Sequence, residues 1–189
     1  ALRLKFNRDF GWLNSSESWT VVDGEFDKYF SLGKSDWFRQ RVLAFDFWTA
    51  YSPTWNEKSN GDIENGAPSF AGAPLGGLWR MRGYPSQRFS DKAAIYYAAE
   101  LRLIPEWNPF ENWSWIQKYL GVQWLQFVPF VEVGRVAPDW GFERLHEDMK
   151  WDAGLGVRFW AKGLVARIDS AVSDEGFGIQ MMVSQPFQF

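Results

Sequence analysis

The chain has 189 residues, a net charge of -3 and no cysteine, and 19% of its residues are Phe, Trp or Tyr. Without cysteine, disulfides, a thiolate nucleophile and a cysteine-ligated zinc are excluded, and no apolar run reaches the roughly 18 residues typical of a transmembrane helix. The 13 Trp and 6 Tyr residues exceed the needs of a small soluble core, and both types collect at membrane–water interfaces. A closed β-sheet is then the remaining way for this chain to cross a bilayer.

Eight segments alternate apolar and polar residues with a period of two, which predicts β-strands. In chain order these segments begin near Leu2, Thr20, Leu43, Ile95, Leu125, Trp151, Leu164 and Phe177. One face of the predicted strands is apolar and aromatic, with Arg8 as its main exception. The other face carries the charged residues Arg3, Lys5, Asp9, Asp23, Glu25, Asp27, Asp46, Glu100, Arg102, Glu132, Asp152, Arg158, Arg167 and Asp169.

A soluble β-sandwich also alternates in this way, but its core would have to bury these charges at a high cost in free energy. An apolar exterior around a polar interior is the arrangement of a transmembrane β-barrel. The pattern therefore predicts an all-β fold, a transmembrane antiparallel barrel of about eight strands that forms one domain over residues 1–189. Residue 1 opens directly into patterned sequence, so we expect any signal peptide to lie outside this chain.

The connections between strands differ in length at the two ends of the predicted sheet. Connections 32–39 and 161–163 are short, as expected on the periplasmic side, whereas 51–91 and 136–150 are long, as expected outside. The segment from Trp107 to Leu120 is a long exception on the short side. Its apolar residues have helical spacing, which indicates either a short amphipathic helix on the inner membrane surface or an aromatic-rich turn of the interfacial girdle.

Catalytic and cofactor motifs are missing from the sequence. His146 is the only histidine and is interpreted as a solvated loop residue, because the second histidine of a His-Glu-x-x-His site is absent. There is no Gly-x-Ser-x-Gly elbow, no phosphate-binding glycine motif and no basic patch for nucleic acid. The sequence therefore predicts a protein that is not an enzyme and that has no cofactor, no metal and no nucleic-acid partner.

Four short motifs resemble those of a known family. Arg82-Gly83-Tyr84, inside the 51–91 loop, resembles the Arg-Gly-Phe/Tyr motif of the outer-membrane assembly and secretion superfamily, the BamA/TamA-like bacterial surface antigen barrels. The strand motifs of this family are matched by Phe130-Val-Glu132-Val-Gly134, by Gly154-Leu-Gly156-Val-Arg158-Phe159 and by Arg167-Ile-Asp169. Their order and spacing cover residues 79–189, and the resemblance implies a location in the bacterial outer membrane.

The resemblance also implies a role for the loop. In this family the loop bearing the motif folds back into the barrel lumen, where its arginine contacts acidic residues of the inner wall. By the alternation above, Glu132 and Asp169 face inward, so we expect a latch in which Arg82, Gly83 and Tyr84 dock and Arg82 pairs with Glu132, Asp169 or both. The alternative is that Arg82 only braces the loop.

The expected strand number raises a geometric difficulty. Eight strands enclose an interior that side chains just fill, whereas the family's barrels have sixteen strands. Three predicted strands precede the Arg-Gly-Tyr motif and five follow it, which corresponds to the C-terminal half of such a barrel. Three arrangements stay open: a closed small barrel with its loop outside, a half that a missing N-terminal half completes, and a homo-oligomer of two copies.

The function implied by the family is the insertion or translocation of polypeptides across the outer membrane, through a weakly paired seam between the first and last strands. Pro186 removes a backbone donor near the chain end, and Phe187 and Phe189 give the aromatic ending of many outer-membrane barrels. Alternatively, Pro186 only marks the end of the strand. The expected partners are outer-membrane lipid and client polypeptides. The rival interpretation is a passive barrel that serves as a membrane anchor or a narrow pore.

Overall fold

A computed structural model describes residues 1–12, 17–68 and 70–184, the last of them without its side chain. Pro186, Phe187 and Phe189, which the sequence assigns to the seam and the aromatic C-terminus, lie outside the described residues. The strands are β1 Leu2–Asp9, β2 Trp19–Ser31, β3 Phe38–Tyr51, β4 Asn56–Glu57, β5 Ile63–Glu64, β6 Ala93–Pro105, β7 Val122–Ala137, β8 Lys150–Ala161, β9 Leu164–Ser173 and β10 Gly176–Ser184, and the helices are α1 Ser114–Tyr119 and α2 Phe142–His146.

Eight of the strands form one antiparallel sheet in the order β1-β2-β3-β6-β7-β8-β9-β10. Each strand pairs with the next long strand in the chain, so the sheet is a simple meander with β4 and β5 as a separate small hairpin. The predicted all-β fold with eight antiparallel strands is therefore confirmed. A tight turn at Lys162-Gly163 joins β8 to β9, and both residues have the positive φ angles, 49° and 83°, that a two-residue hairpin of this kind needs.

Strand register places the two kinds of side chain on opposite faces. Glu132 pairs with Asp152 across β7 and β8, and Asp169 pairs with Gly156 on one side and Gln180 on the other, so these residues share a face. We call this the loop-side face, because the β3–β6 loop packs on it. The opposite, outer face exposes many large apolar side chains. They include Leu2, Leu4, Phe6, Phe26, Phe45, Val131, Leu155, Ile168, Val172, Phe177, Ile179, Met181 and Val183.

The sheet curves strongly around the loop. Its two edge strands are seven strand spacings apart, which would separate them by about 34 Å in a flat sheet. Lys5 and Asn7 of β1 nevertheless line the same cavity of about 560 Å³ as Gln180 of β10. Curvature has thus brought the edges toward each other, with loop residues between them.

The curved sheet is not closed. Across the described residues, β1 pairs only with β2 and β10 only with β9. The described residues thus do not form the closed eight-stranded barrel, which was one of the three arrangements expected from the sequence. The physical reason is space, because a ring of eight strands has an interior that side chains alone fill, and here the loop takes up that space.

The loop and the loop-side face share a core. Tyr84, Leu75 and Met81 of the loop are buried against Trp48 of β3 and Tyr96 of β6. The loop therefore packs on this face and not outside the sheet, where the closed small barrel would have placed it.

A second, smaller core lies on the outer face near the long-loop end. Leu145 of α2 is fully buried against Ala93 and Ile95 of β6. The His146 ring lies 2.9 Å from the Tyr97 hydroxyl through Nε2 and 2.6 Å from the Phe142 carbonyl through Nδ1. The interpretation of His146 as a solvated loop residue is therefore wrong, because α2 folds onto the sheet and half-buries it.

The long connection on the short-turn side contains α1, a single helical segment of six residues. Ile116 is buried, and the Gln117 amide donates to the carbonyls of Phe110 and Val122, which ties the helix to the start of β7. Of the two predicted alternatives for Trp107–Leu120, the short helix is the one present. Among the described residues, no helix has both the length and the apolar composition needed to cross a membrane.

Candidate functional site

The Arg82 side chain is buried among three carboxylates on the loop-side face, with 3% of its surface exposed. Its Nε donates to Glu132 Oε1 at 2.9 Å, and its main-chain N–H donates to Glu132 Oε2 at 2.6 Å. Nη2 lies 2.9 Å from Glu100 Oε1, and Nη1 lies 3.6 Å from Asp169 Oδ1. Both carboxylates expected from the sequence are therefore in contact, and Glu100 adds a third.

Burial acts on the Arg82 charge in one direction and the carboxylates act in the other. Burial alone would lower the pKa of Arg82, but the negative charges of Glu132 and Glu100 outweigh it, so the pKa is raised. The side chain stays a cation inside the protein. An unpaired guanidinium at this depth would be strongly unfavourable, so the carboxylates are required for the loop to dock.

Phe130 forms the floor beneath this cation. The Arg82 guanidinium carbon lies 3.5 Å from the centroid of the Phe130 ring, within range of a cation–π interaction. Gly154 on the neighbouring strand provides the space for the ring, because a Cβ at this position would come within 2.5 Å of Phe130 Cζ. The Phe-x-Glu-x-Gly and Gly-x-Gly motifs are thus adjacent parts of one structure.

Gly156 and Gly134 also make space for neighbours. A Cβ on Gly156 would lie 2.3 Å from Asp169 Oδ1, so the glycine allows the carboxylate to lie flat across β8. A Cβ on Gly134 would lie 2.9 Å from Leu75 Cδ1 of the loop. Both glycines allow the loop or its partners to approach the strand backbone closely.

Gly83 lies directly against β8. Its N–H donates to Asp152 Oδ2 at 3.0 Å, and its carbonyl accepts from the Ser173 hydroxyl at 3.2 Å. A Cβ on Gly83 would lie 2.6 Å from Asp152 Cβ. The middle position of the motif therefore has no room for a side chain.

Tyr84 reaches the turn between β9 and β10. Its hydroxyl lies 2.5 Å from Asp174 Oδ1 and 3.0 Å from the Trp151 carbonyl. Burial and the hydrogen bond to Asp174 raise the pKa of Tyr84. Hydrogen bonds from Lys150 and from Tyr84 lower the pKa of Asp174, so the neutral phenol and the carboxylate stabilise each other.

Gln180 of β10 holds the motif from the other side. Its Nε2 donates to the carbonyl of Arg82 at 3.1 Å and to the carbonyl of Tyr84 at 3.2 Å. Backbone polar groups in the interior need partners, and here strands β7 to β10 supply them. The loop therefore contacts the sheet as far as its last strand.

Glu100 is the centre of a second cluster. Its carboxylate accepts hydrogen bonds from Arg102 at 2.8 Å and from Arg158 at 3.0 Å, and it forms an ion pair with Arg82 at 2.9 Å. The sequence motifs singled out above include Arg158 but do not identify its partner. Arg167 pairs with Asp169 and donates to the Leu78 carbonyl, so it contacts the loop directly, whereas Arg158 is linked to Arg82 only through Glu100.

The structure thus brings together eleven of the predicted site residues. They are Arg82, Gly83, Tyr84, Phe130, Glu132, Gly134, Gly154, Gly156, Arg158, Arg167 and Asp169. The residues not assigned to the site from sequence are Tyr96, Glu100, Asp152, Ser173, Asp174 and Gln180. Most lie on the predicted inward face, so period-two alternation marks them as candidates, but only the path of the loop selects them.

A cavity of about 470 Å³ adjoins the loop beside Trp79 and Arg80. Glu25 and Asp46 line it from β2 and β3, whereas Arg158 lines it from β8. Arg80 spans part of it, pairing with Glu25 at 3.3 Å and lying over the Trp48 ring. In the described ranges, no group of three or more His, Asp or Glu side chains has an arrangement that would hold a metal ion.

In comparisons with known proteins, neither a family model nor a curated protein matches the chain.

Proposed function

We propose that this chain is half of an outer-membrane β-barrel of the assembly and secretion type, which inserts or translocates polypeptides at the seam between its edge strands. The observation that carries the proposal is the placement of Arg82, buried between Glu132, Glu100 and Asp169 on the charged face of a sheet whose other face is apolar. A charged interior and an apolar exterior suit a lipid-embedded barrel.

The apolar outer face supports a membrane location. Leu4 is 77% exposed, Ile179 is 62% exposed and Met181 is 66% exposed. Exposed apolar area of this extent is unfavourable in water and favourable against acyl chains. Location is tested by washing membranes with alkaline carbonate and with urea. An embedded chain stays with the lipid, whereas release into the supernatant contradicts the proposal.

The open edges support a role for the seam. β1 and β10 each present a row of backbone donors and acceptors without a strand partner among the described residues. Such edges pair readily with an added strand, and the loop-filled interior means that further strands are needed to close the ring. In the proposal, these strands come from a missing N-terminal half or a second copy, and a client strand adds where pairing is weakest.

Site-specific photo-crosslinking tests the client. A photoreactive residue replaces Phe6 on β1 or Met181 on β10, and Phe45 on the interior strand β3 is the matched control, since all three side chains lie on the exposed outer face. An assembly role predicts adducts with newly made outer-membrane polypeptides at the two edge positions and few at Phe45. Equal adducts at all three positions, or none, contradict it.

The passive barrel is the second candidate, and the number of loop contacts favours it. The loop is bonded to β2 through Arg80, to β7 through Arg82 and to β10 through the carbonyls that Gln180 binds. A loop held at so many points suits a static plug. The absence of edge-specific adducts would support a passive barrel instead of an assembly factor, and ion conductance in planar bilayers would then identify a narrow pore and not an anchor.

A further inference from the structure

Arg8 is the one strongly basic side chain that the sequence places on the apolar face of β1, and the loop network does not use it. It is exposed on the outer face at the long-loop end of the strand. Nη1 donates to the Thr20 hydroxyl at 3.1 Å, and the guanidinium lies 5.2 Å from the Phe10 ring centroid. Among the described residues it forms no ion pair, so its charge is free to meet an anion.

An apolar groove of about 590 Å³ lies on the same outer face. Its walls are formed by Leu4, Val22, Gly24, Thr49, Tyr51 and Trp140. Trp140 comes from the connection between β7 and α2, and its Nε1 donates to the Thr49 hydroxyl at 2.8 Å, which fixes the ring as the outer wall. Gly24 lacks a side chain and so deepens the floor of the groove.

The register aligns Arg8 with this groove. Arg8 pairs with Thr20 and Phe6 pairs with Val22, so Arg8 stands two residues, about 7 Å, along the sheet from the start of the groove. Arg8 lies nearer the long-loop end of the sheet. The groove runs from Tyr51 and Val22 toward Leu4, which lies further from that end. This is the order of a lipid molecule, with the charged headgroup at the rim and the acyl chain toward the middle of the sheet.

We propose that this outer-face groove binds one anionic, phosphate-bearing lipid, with its phosphate at Arg8 and an acyl chain in the groove walled by Trp140. A guanidinium and a phosphate oxygen form charge-assisted hydrogen bonds, and Arg is well shaped for this recognition. The inference rests on the proposed function in one respect, namely that the outer face meets lipid.

The test uses the detergent-purified protein and native mass spectrometry. Phosphatidylglycerol, which is anionic, is compared with phosphatidylcholine, which is zwitterionic and carries the same acyl chains. The wild-type protein is expected to retain one phosphatidylglycerol in preference to phosphatidylcholine. Equal retention of the two lipids would overturn the proposal.

Two pairs of variants separate the headgroup site from the groove. Arg8→Gln should weaken phosphatidylglycerol retention about fivefold, the size of effect expected from one basic residue at a lipid surface, and Arg8→Lys should restore most of it. Lys28→Gln is the matched control, because Lys28 is an outer-face cation on β2 directed over Phe30, away from the groove. A loss with Lys28→Gln equal to that with Arg8→Gln overturns the site.

For the groove, Val22→Phe should reduce retention of both lipids by filling the space. Val172→Phe should not reduce it, because Val172 is an equally exposed outer-face valine on β9, 49% exposed against 43% for Val22. Unchanged retention in Val22→Phe overturns the acyl-chain assignment. A polypeptide captured at the groove in place of lipid would also overturn it. If carbonate releases the protein from membranes, the proposed function fails. If the protein stays in the membrane but shows no lipid selectivity, only the lipid-binding proposal fails.

Discussion

The Arg82 guanidinium lies 3.5 Å above the centre of the Phe130 ring, while Glu132, two residues further along the same strand, accepts hydrogen bonds from both the side chain and the main chain of Arg82. One strand thus supplies both a π face and a carboxylate to the same cation. Such contacts are stronger in a buried site than in water, because the surroundings screen charge less. The pair anchors the Arg82–Tyr84 tripeptide, one of several points at which the loop contacts the sheet.

Replacing Arg82 by Ala should free the loop while leaving the strands paired. The change leaves Glu132 without its main partner, and breaking a buried ion pair costs about 3–5 kcal/mol. Limited proteolysis should show new cleavage between residues 60 and 90. Arg88→Ala is the control in the same loop, since its pair with Glu175 is exposed to solvent and contributes little to stability. Identical digestion patterns for Arg82→Ala and the wild type would contradict a latch.

Replacing Gly154 or Gly156 by Ala should destabilise the sheet by different amounts. At Gly154 the new Cβ would meet the Ser170 backbone oxygen at 2.1 Å, whereas at Gly156 it would meet the Asp169 side chain at 2.3 Å. Backbone yields less than a side chain, so Gly154→Ala should cost more than Gly156→Ala, within the range of about 1–3 kcal/mol typical of overpacking.

Thermal unfolding in detergent measures this order. Gly178→Ala is the control, because its nearest non-neighbouring atom is 3.6 Å away. A larger loss of stability for Gly178→Ala than for Gly154→Ala would be inconsistent with the proposed packing.

Glu100→Gln should weaken the site by removing the charge on which three arginines converge. Arg82, Arg102 and Arg158 would then repel one another with less compensation. We expect the loss in unfolding free energy to exceed that for Glu25→Gln, whose pairs with Arg3 and Arg80 are more exposed. Denaturant unfolding measures both variants, and the reverse order would show that the Glu100 cluster does not stabilise the fold.

Alkaline pH should release the loop at Tyr84. Its pKa is raised by burial and by the hydrogen bond to Asp174, so the folded state holds this proton more tightly than the unfolded chain. The stabilisation is complete below the ordinary tyrosine pKa of about 10 and is lost as pH rises above it. Loop proteolysis should therefore be constant up to about pH 10 and increase as pH rises further.

Tyr84→Phe is the control for this prediction. Phenylalanine has no proton to lose, so its loop should be less protected at pH 9 and should show a smaller further change at higher pH. An equally steep alkaline increase in both proteins would assign the effect to another group.

The strands were predictable because one face of each is apolar along most of its length. β6 begins at Ala93 and β8 at Lys150, close to the predicted starts at Ile95 and Trp151. The inward direction of Glu132 and Asp169 also follows from period-two alternation, since a shift of one residue would reverse the face.

Other features depend on tertiary packing and leave no local pattern. α2 has five residues, too few for a helical period, and it exists because Leu145 fills a space on the outer face of β6. Alternation predicts that Glu100 points inward, but its role depends on where the loop places Arg82. Curvature without closure depends on the volume of that loop, which alternation along a strand does not encode.

The spread of the Arg82–Tyr84 contacts along the chain has a consequence for folding. Asp152, Asp174 and Gln180 follow the tripeptide by 69, 90 and 98 residues. During synthesis the tripeptide is made long before these partners, and contacts of such separation form late because closing a long loop costs entropy. Docking can be completed only when β8, β9 and β10 stand in register, so a seated Arg82 reports that the last three strands have been added correctly.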